Sequence, residues 1–543
     1  MPLDSYDPLS VGSEISRTSD LGHSIDVKRP DRLDSLLNIH KVVVVGSSGT
    51  GKTTVVNAAR DVDGVHVPKR FLTRPPRAND DFTENGHLTP DQFSDGIDSG
   101  EIAVYWTRNM EGDRTERYGF VPTSPEDGVV TVLSGNNALY NNRVSINPDG
   151  VLDDETVWVG VYASVETLIA RLEARSPDMV SDRPGEFAYR ISDLPENVLP
   201  HVDFVVNTDG EFGDGRGPDD FRQLVCRLVE LARREYVVTS GAKYADIDVL
   251  ASVAAYSELL RLLGKNARAV VTAPFNETVS STVRSWSLPV EQSFEADSEN
   301  VRFVLADVSD PKYAEPFVDK DRVVQVFDHH AGMEDFWGDR LVEGSSHIEP
   351  VGACATLIWE RFKAYGKDGQ ISTTVANLLY TAIYSNTLAL NSSVTTERDR
   401  TALDELSRYV ELPDDWGAQY YREIEENIVS DVVGAVSNDT KRFDIDGRNY
   451  AIAQLEVWDA GRLLADPDFI EKIKAGMAID DSVDKRWFLN LVSIGEGVSY
   501  IVTSSGFMQA ELGSTISVNF SSGGPIGVTN QLFLRKQIIP LLS

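Results

Sequence analysis

Two sets of residues in this 543-residue chain have the types and the spacing to do chemistry. The first, Gly46-Ser-Ser-Gly49-Thr-Gly51-Lys52-Thr53-Thr54, satisfies G-x-x-x-x-G-K-T. Its glycines let the backbone curl until several N–H groups and the start of a following helix point at one anion. Lys52 would then neutralise β/γ-phosphate charge, and Thr53 would offer a hydroxyl to Mg²⁺. A nucleoside triphosphate is the expected ligand. The second set lies at three separate apolar runs: Tyr244-Ala-Asp246-Ile-Asp248, Leu305-Ala-Asp307 and Phe327-Asp328-His329-His330. Carboxylates and imidazoles brought together can hold hard or borderline divalent ions such as Mn²⁺ or Mg²⁺. Two such ions a few ångströms apart would clamp a phosphoryl group for attack by water, which is metal-assisted phosphoanhydride hydrolysis. Taken singly, Asp246 and Asp248 read as turn or cap acids and His329-His330 as a packed pair. Their joint occurrence, each after an apolar run, points to a site.

These residues need elements to hold them. Lys41–Val45 is a β-branched run of strand length, followed directly by the glycine loop and the helical-looking VVNAARD. Apolar runs at 128–133 and 157–162 and a periodic segment at 165–175 continue an α/β pattern. The stretch EFGDGRGPDD, ending at Asp220, has turn chemistry and precedes a helix expected over 221–234. A second βα alternation starts at Tyr236 and runs through strands expected at 268–272, 301–307 and 323–328. C-terminal strand ends of a parallel sheet share one edge, which is where ligands bind. A third region begins near Asp431, with a hairpin expected at Phe443-Asp-Ile-Asp-Gly447 and strands at 450–455 and around 500–503. The expected organisation is a tail over 1–38, mobile unless it docks, then 39–235, 236–430 and 431–543. No internal repeat is apparent.

Composition sets limits. Hydrophobic residues make up 41% and charged residues 25%, an ordinary globular profile. The 85 Asp and Glu against 51 Lys and Arg leave a formal charge of −34, which repels nucleic acid and anionic lipid and argues against both as partners. Small phosphorylated substrates remain open wherever a few cations converge. Arg114, Arg117, Arg171, Arg175, Arg183 and Arg190 recur in the first domain, and arginine forks suit phosphate oxygens, although any one alone reads better as a surface ion pair. Cys226 and Cys354 are too few for a disulfide framework, and no apolar stretch approaches membrane-spanning length, so a cytoplasmic location is expected.

GSSGTGKTT, FLTRPPR, DQFSDGIDSGEIAVYW before ERYGF, and LIARLEARS together resemble the guanylate kinase-type fold. Within it they look most like ribose 1,5-bisphosphate phosphokinase over about residues 39–207. The resemblance implies ATP with Mg²⁺ on Gly46, Gly49, Gly51, Lys52, Thr53 and Thr54. It places Thr73, Arg74 and Arg77 on the acceptor phosphate, Tyr118 near the acceptor, and Arg171 and Arg175 over the ATP phosphates. Residues 236–543 resemble the DHH phosphoesterases and, among them, the family II inorganic pyrophosphatases with their DHHA2-type second domain. The residues carrying this are YADIDVLAS, FVLAD, VFDHH, IEPVGACATLIWERF, AIYSNTLALNSSVTTERD, DTKRFDIDGRNYAIAQLE and LRKQIIPLL. It implies Asp246, Asp248, Asp307 and His329 as metal ligands, with Asn386 at a fourth-motif ligand position, and His330, Lys441, Arg535 and Lys536 on substrate phosphate.

Two departures stand out: Ala242 where that family has a histidine ligand, and Asn386 where it has a bridging aspartate. The expectation is therefore an α/β chain in which a P-loop kinase domain is fused to a two-domain phosphoesterase, a parallel-sheet domain plus a smaller mixed-sheet one. Its activities would be ATP-dependent phosphotransfer and Mn²⁺- or Mg²⁺-dependent phosphoanhydride hydrolysis. The alternatives are a phosphoesterase half retained as a ligand-binding or regulatory module, and a nucleoside monophosphate as the kinase acceptor. A homodimer is the oligomer to test for.

Overall fold

The computed structural model describes residues 7–10, 15, 24–33, 36–76, 85–110, 114–121, 129–135, 139, 156–175, 197–209, 216–295, 300–479, 485–521 and 524–542. The chain is α/β and divides into two compact units, Pro2–Glu235 with Leu263–Asn266, and Tyr236–Leu262 with Ala267–Ser543.

In the first unit a six-stranded sheet has the order β1-β10-β9-β2-β8-β3, built from Ile25–Val27 (β1), Lys41–Val45 (β2), Val65–His66 (β3), Val130–Ser134 (β8), Val157–Tyr162 (β9) and Phe204–Asn207 (β10). Its pairs are parallel except for β1 with β10. The valine run of β2 follows from this position, because a parallel strand covered on both faces has no polar side. Val42 and Val44 pack with Val55 of helix α1 (Lys52–Ala59) and with Phe221, Leu224 and Leu228 of α3 (Arg216–Ala232). Val43 and Val45 face the other way, toward Trp106, Leu133 and Trp158. A second sheet, β5-β4-β7-β6, joins Asn85–His87 (β5), Arg70–Leu72 (β4), Arg114–Phe120 (β7) and Val104–Met110 (β6). Part of the segment before residue 38 docks: β1 adds an edge strand, Arg32 donates to Asp203 Oδ2 (2.6 Å) and Thr156 O (2.8 Å), and Leu33 and Leu36 enter the core.

The second unit holds two sheets. One has the order β12-β11-β13-β14-β15, from Asn266–Ala269 (β12), Glu235–Thr239 (β11), Val301–Ala306 (β13), Val323–Asp328 (β14) and Ser346–Ile348 (β15), with β13, β14 and β15 mutually parallel. The strand expected over 268–272 is thus shorter and earlier; Val270 only bridges Glu291. Helices α4 (Ile247–Leu262), α5 (Cys354–Ala364) and α6 (Thr373–Asn386) pack on one another, and α4 is buried on nearly every side. The other sheet, β16-β17-β18-β19-β21-β20, is mixed: β17 (Arg448–Val457) runs parallel to β18 (Trp487–Ser493) and antiparallel to β16 (Lys441–Ile445). Val498–Val502 (β19), Asn519–Phe520 (β20) and Ile526–Val528 (β21) complete it with antiparallel pairs. Asp446 and Gly447 close the β16–β17 hairpin with φ of 51° and 73°, the left-handed pair that a two-residue turn requires. Among the described residues no helix is long and apolar enough to cross a membrane.

Candidate functional site

The glycine loop follows β2 and ends on Gly51 at the head of α1. Gly49 and Gly51 have φ of 97° and 93°, a region that disfavours any side chain, and a Cβ on Gly46 would come within 2.8 Å of Val161 O. Lys52 Nζ donates to the carbonyls of Gly46 (2.6 Å) and Ser47 (2.8 Å), so the ammonium spans its own loop. Thr53 and Thr54 stand exposed in the first turn of the helix. Arg171, on α2 (Val165–Arg175), reaches the same loop: its guanidinium donates to Gly49 O (3.5 Å), Thr208 Oγ1 (3.0 Å) and Thr208 O (2.5 Å). Its pKa is lowered by burial against the pull of Asp209.

Three of the residues expected on the acceptor have partners within the chain. Thr73 Oγ1 accepts the Arg117 N–H at 2.9 Å, and Arg74 is buried with Nη1 on Pro75 O. The Tyr118 hydroxyl donates to Glu116 (2.6 Å) while its ring stacks on Trp106 at 5.4 Å. Arg117 donates to Ser94 Oγ. Arg77, Arg183 and Arg190, and the side chains of Arg114 and Arg175, lie outside the described residues.

In the second unit the acids gather. Asp307 and His329 each stand one residue beyond the ends of β13 and β14, and the His329 Nε2 atom lies 3.4 Å from Asp307 Oδ1 and 4.0 Å from Asp248 Oδ2. Asp307 adopts φ 59°, a left-handed conformation that Asp tolerates better than most residues, with its N–H on Phe327 O. His329 Nδ1 faces Val351 O at 3.2 Å; since a carbonyl only accepts, Nδ1 carries the proton and Nε2 presents a lone pair. Burial, followed by the charge of His330, pushes His329 down to about 4, so the ring is neutral at pH 7. His330 pairs through Nδ1 with Asp328 Oδ1 (2.9 Å), which raises the imidazole and holds the carboxylate low despite its burial. Burial, and then mutual repulsion, raises Asp246 and Asp307.

The acids divide by what already binds them. Asp246 caps α4, its Oδ1 accepting from Asp248 N (3.0 Å) and Val249 N (2.9 Å). Asp248 accepts at Oδ1 from Ala355 N (2.8 Å) and Ser252 Oγ (3.3 Å), and at Oδ2 from Cys354 N (2.8 Å) and Asn386 Nδ2 (2.6 Å). Burial still lifts it to about 6. Asn386, expected among the ligands, is therefore a donor to an acid. Asp307 differs: its Oδ1 is buried with no hydrogen-bond partner. A buried carboxylate oxygen without a donor is costly, and an anionic oxygen beside a neutral imidazole is the donor set of a divalent cation, so these residues fit one. Ligating atoms of Asp307, His329 and His330 all lie within 4.8 Å of one another. Ala242, by contrast, offers nothing; its N–H is held by Tyr313 O.

Of the other cations expected on phosphate, Lys441 begins β16 of the mixed sheet, and Arg535 and Lys536 open a short helix near the end of the second unit. Arg535, at the head of α7 (Arg535–Ile538), is held by Asp439: Nη1 donates to Asp439 Oδ2 (2.5 Å), Asp439 O (2.9 Å) and Ile452 O (3.3 Å). Lys441 and Lys536 have no carboxylate within salt-bridge distance among the described residues, and burial lowers both. Sequence reasoning passed over Gln454 and Glu456. Gln454 Oε1 accepts the Arg535 N–H (2.5 Å) and the Asn490 amide (3.0 Å), while its Nε2 donates to Glu456 Oε1 (2.8 Å). Burial pushes Glu456 up to about 7. The available clue was a polar pair two residues apart in the otherwise largely apolar run from Tyr450 to Val457.

No family model matches the chain. Individual proteins do. A probable manganese-dependent inorganic pyrophosphatase of Lactobacillus acidophilus is 27% identical over 249 residues, 45% of this chain and 78% of that protein. Those of Lactobacillus johnsonii and Listeria innocua are 24% and 25% identical over 314 and 310 residues, each covering 56% of this chain and 96% of the relative. Among solved structures, a Methanococcus jannaschii protein described as a candidate family II inorganic pyrophosphatase aligns with 56% of this chain and 98% of its own (TM-score 0.43, 19% identity). A guanylate kinase of Anaplasma phagocytophilum aligns with 36% of this chain and 85% of its own (TM-score 0.24, 16% identity).

Proposed function

We propose that the second unit hydrolyses a phosphoanhydride, inorganic pyrophosphate being the substrate class, with a divalent cation, Mn²⁺ or Mg²⁺. The observation that carries this is the buried, donor-free Asp307 Oδ1 beside the neutral His329 Nε2. Sequence likeness to manganese-dependent pyrophosphatases over about half the chain supports it and favours Mn²⁺. The bound cation would supply a Lewis acid to a phosphoryl oxygen and a more acidic water. The chain's own residues do the rest. Asp307 and His329 hold the cation, with His329 fixed in one tautomer by Val351 O. His330, charged through Asp328, and Lys441 and Lys536, which have no carboxylate within salt-bridge distance among the described residues, offset the charge of the substrate phosphates. Arg535 is held in place by Asp439 and Gln454. A water oxygen bonds to one phosphorus as the bridging P–O bond breaks, leaving two phosphates.

For the first unit we propose ATP-dependent phosphoryl transfer to a small phosphorylated acceptor, ribose 1,5-bisphosphate or a nucleoside monophosphate. The loop conformation at Gly49 and Gly51 and the reach of Lys52 and Arg171 support nucleotide binding with Mg²⁺ at Thr53. The combined protein would act on small phosphorylated solutes in the cytoplasm. A second reading, in which the second unit binds a phosphorylated ligand without turnover, is favoured by the Asn386–Asp248 hydrogen bond and by Ala242. Phosphate release from pyrophosphate with Mn²⁺ decides between them. Wild type is expected to turn over and Asp307→Asn to fall at least about 100-fold; equal rates would reject hydrolysis at this centre. ADP formation, screened over the two acceptor classes, identifies the acceptor of the first unit.

A further inference from the structure

Asp248 and Asn386 meet in a way that the hydrolytic reading does not use. An ionised carboxylate offers about four in-plane lone-pair sites. All of those on Asp248 are taken, two by the first N–H groups of α5, one by Ser252 and one by the Asn386 amide. The two α5 donors have no partner within their own helix, so Asp248 is the anion at that helix start and its charge is already compensated there. The amide orientation is dictated by the chemistry. With Asn386 turned over, its carbonyl oxygen would stand 2.6 Å from a carboxylate oxygen, acceptor against acceptor. Asn386 ends α6, so its N–H ties that helix to Asp248 without needing a cation between them.

Asp307 has the opposite condition. Its Oδ1 lacks a donor, and the 3.4 Å separation from His329 Nε2 is long for a hydrogen bond yet within the spread of two ligands about 2 Å from one ion. Among the described residues, Asp307, His329 and His330 are the one group of three whose ligating atoms lie within 4.8 Å of one another.

We propose that this centre takes a single divalent cation, held by Asp307 and His329 with the charged His330 left to substrate, and that the Asn386 amide stands where a second ion would otherwise link Asp248 to its neighbour on α6. The inference rests on the cation-dependent reading of the site, and it specifies the number of ions and the residue that sets it. Replacing Asn386 by Asp would bring two carboxylates into contact, an arrangement that is stable only with a cation between them or a proton on one.

The test is Mn²⁺ stoichiometry on the full chain, by isothermal titration calorimetry and by metal analysis after equilibrium dialysis, with no substrate present. Wild type is expected to bind one ion, Asn386→Asp two, and Asp307→Asn none. Two ions in the wild type, or no gain in Asn386→Asp, would overturn the inference while leaving a cation-dependent hydrolase intact. No ion in the wild type would overturn both this inference and the functional reading beneath it. If Asn386→Asp folds poorly without metal, melting with and without Mn²⁺ gives the same answer: a cation-dependent rise in Tm larger than that of wild type supports a second ion, and an equal rise counts against it.

Discussion

The two candidate sites would gather phosphate by opposite means. In the first unit the main chain dominates: a loop with glycines in left-handed conformations leads to the head of a helix, and Lys52 is satisfied by two carbonyls of that loop. Such a site is complete before its ligand arrives. In the second unit the side chains converge from distant parts of the chain, and burial pushes Asp246, Asp248 and Asp307 up in pKa, with repulsion between carboxylates adding to the rise at Asp246 and Asp307. On the proposed reading that site would be completed by an ion. The difference teaches that one pocket satisfies its cation with its own carbonyls, whereas the other concentrates buried carboxylates that a cation would relieve.

Substitutions can break or sharpen this contrast. The largest effect is expected at Asp248, whose loss strands the two N–H groups at the start of α5 and the Asn386 amide. Asp248→Ala should cost the second unit about 4 kcal/mol, read as a lower denaturation midpoint for that unit. An unchanged midpoint would mean that the acid is not the anchor described. Next comes Lys52→Ala, expected to weaken ATP binding by about 100-fold, roughly 2.7 kcal/mol, with pyrophosphate turnover unaffected. A matching loss of both activities would erase the distinction between the sites.

The smallest is a pH effect at Glu456, which is faced by Asp439, Arg535, Asp246 and Lys536 and bonded to Gln454. Its carboxyl is raised from 4.5 to about 7, so the neutral form is the one the fold prefers. The stability it contributes is fully present below pH 4.5 and is lost as pH rises through about 7. Wild type should lose on the order of 3 kcal/mol across that window relative to Glu456→Gln, measured by urea unfolding at several pH values. Parallel curves for the two proteins would contradict the assignment.

Legibility in the sequence followed the same division. The glycine loop is contiguous and is bounded by a strand and a helix that its own residues specify, so Gly46 to Thr54 can be read directly. Asp307 and His329 are legible as acids and imidazoles following apolar runs, because parallel strands end together. The partners that decide what each acid does were not. Asp248 meets Cys354, Ala355 and Asn386 from more than a hundred residues away, and nothing local marks an amide as donor and not ligand. The grip of Asp439 on Arg535 and the link from Gln454 to Glu456 likewise depend on tertiary packing. The docking of β1 depends on Arg32 finding the buried Asp203, a pairing that no periodicity in a three-residue strand could signal.

The central claim is that a cation belongs at Asp307 and His329. Anomalous diffraction at the manganese absorption edge, from crystals grown with Mn²⁺, tests it most directly. A peak bonded to Asp307 Oδ1 and His329 Nε2 is the predicted result, and crystals with no peak there, or with manganese only at other sites, would contradict the account.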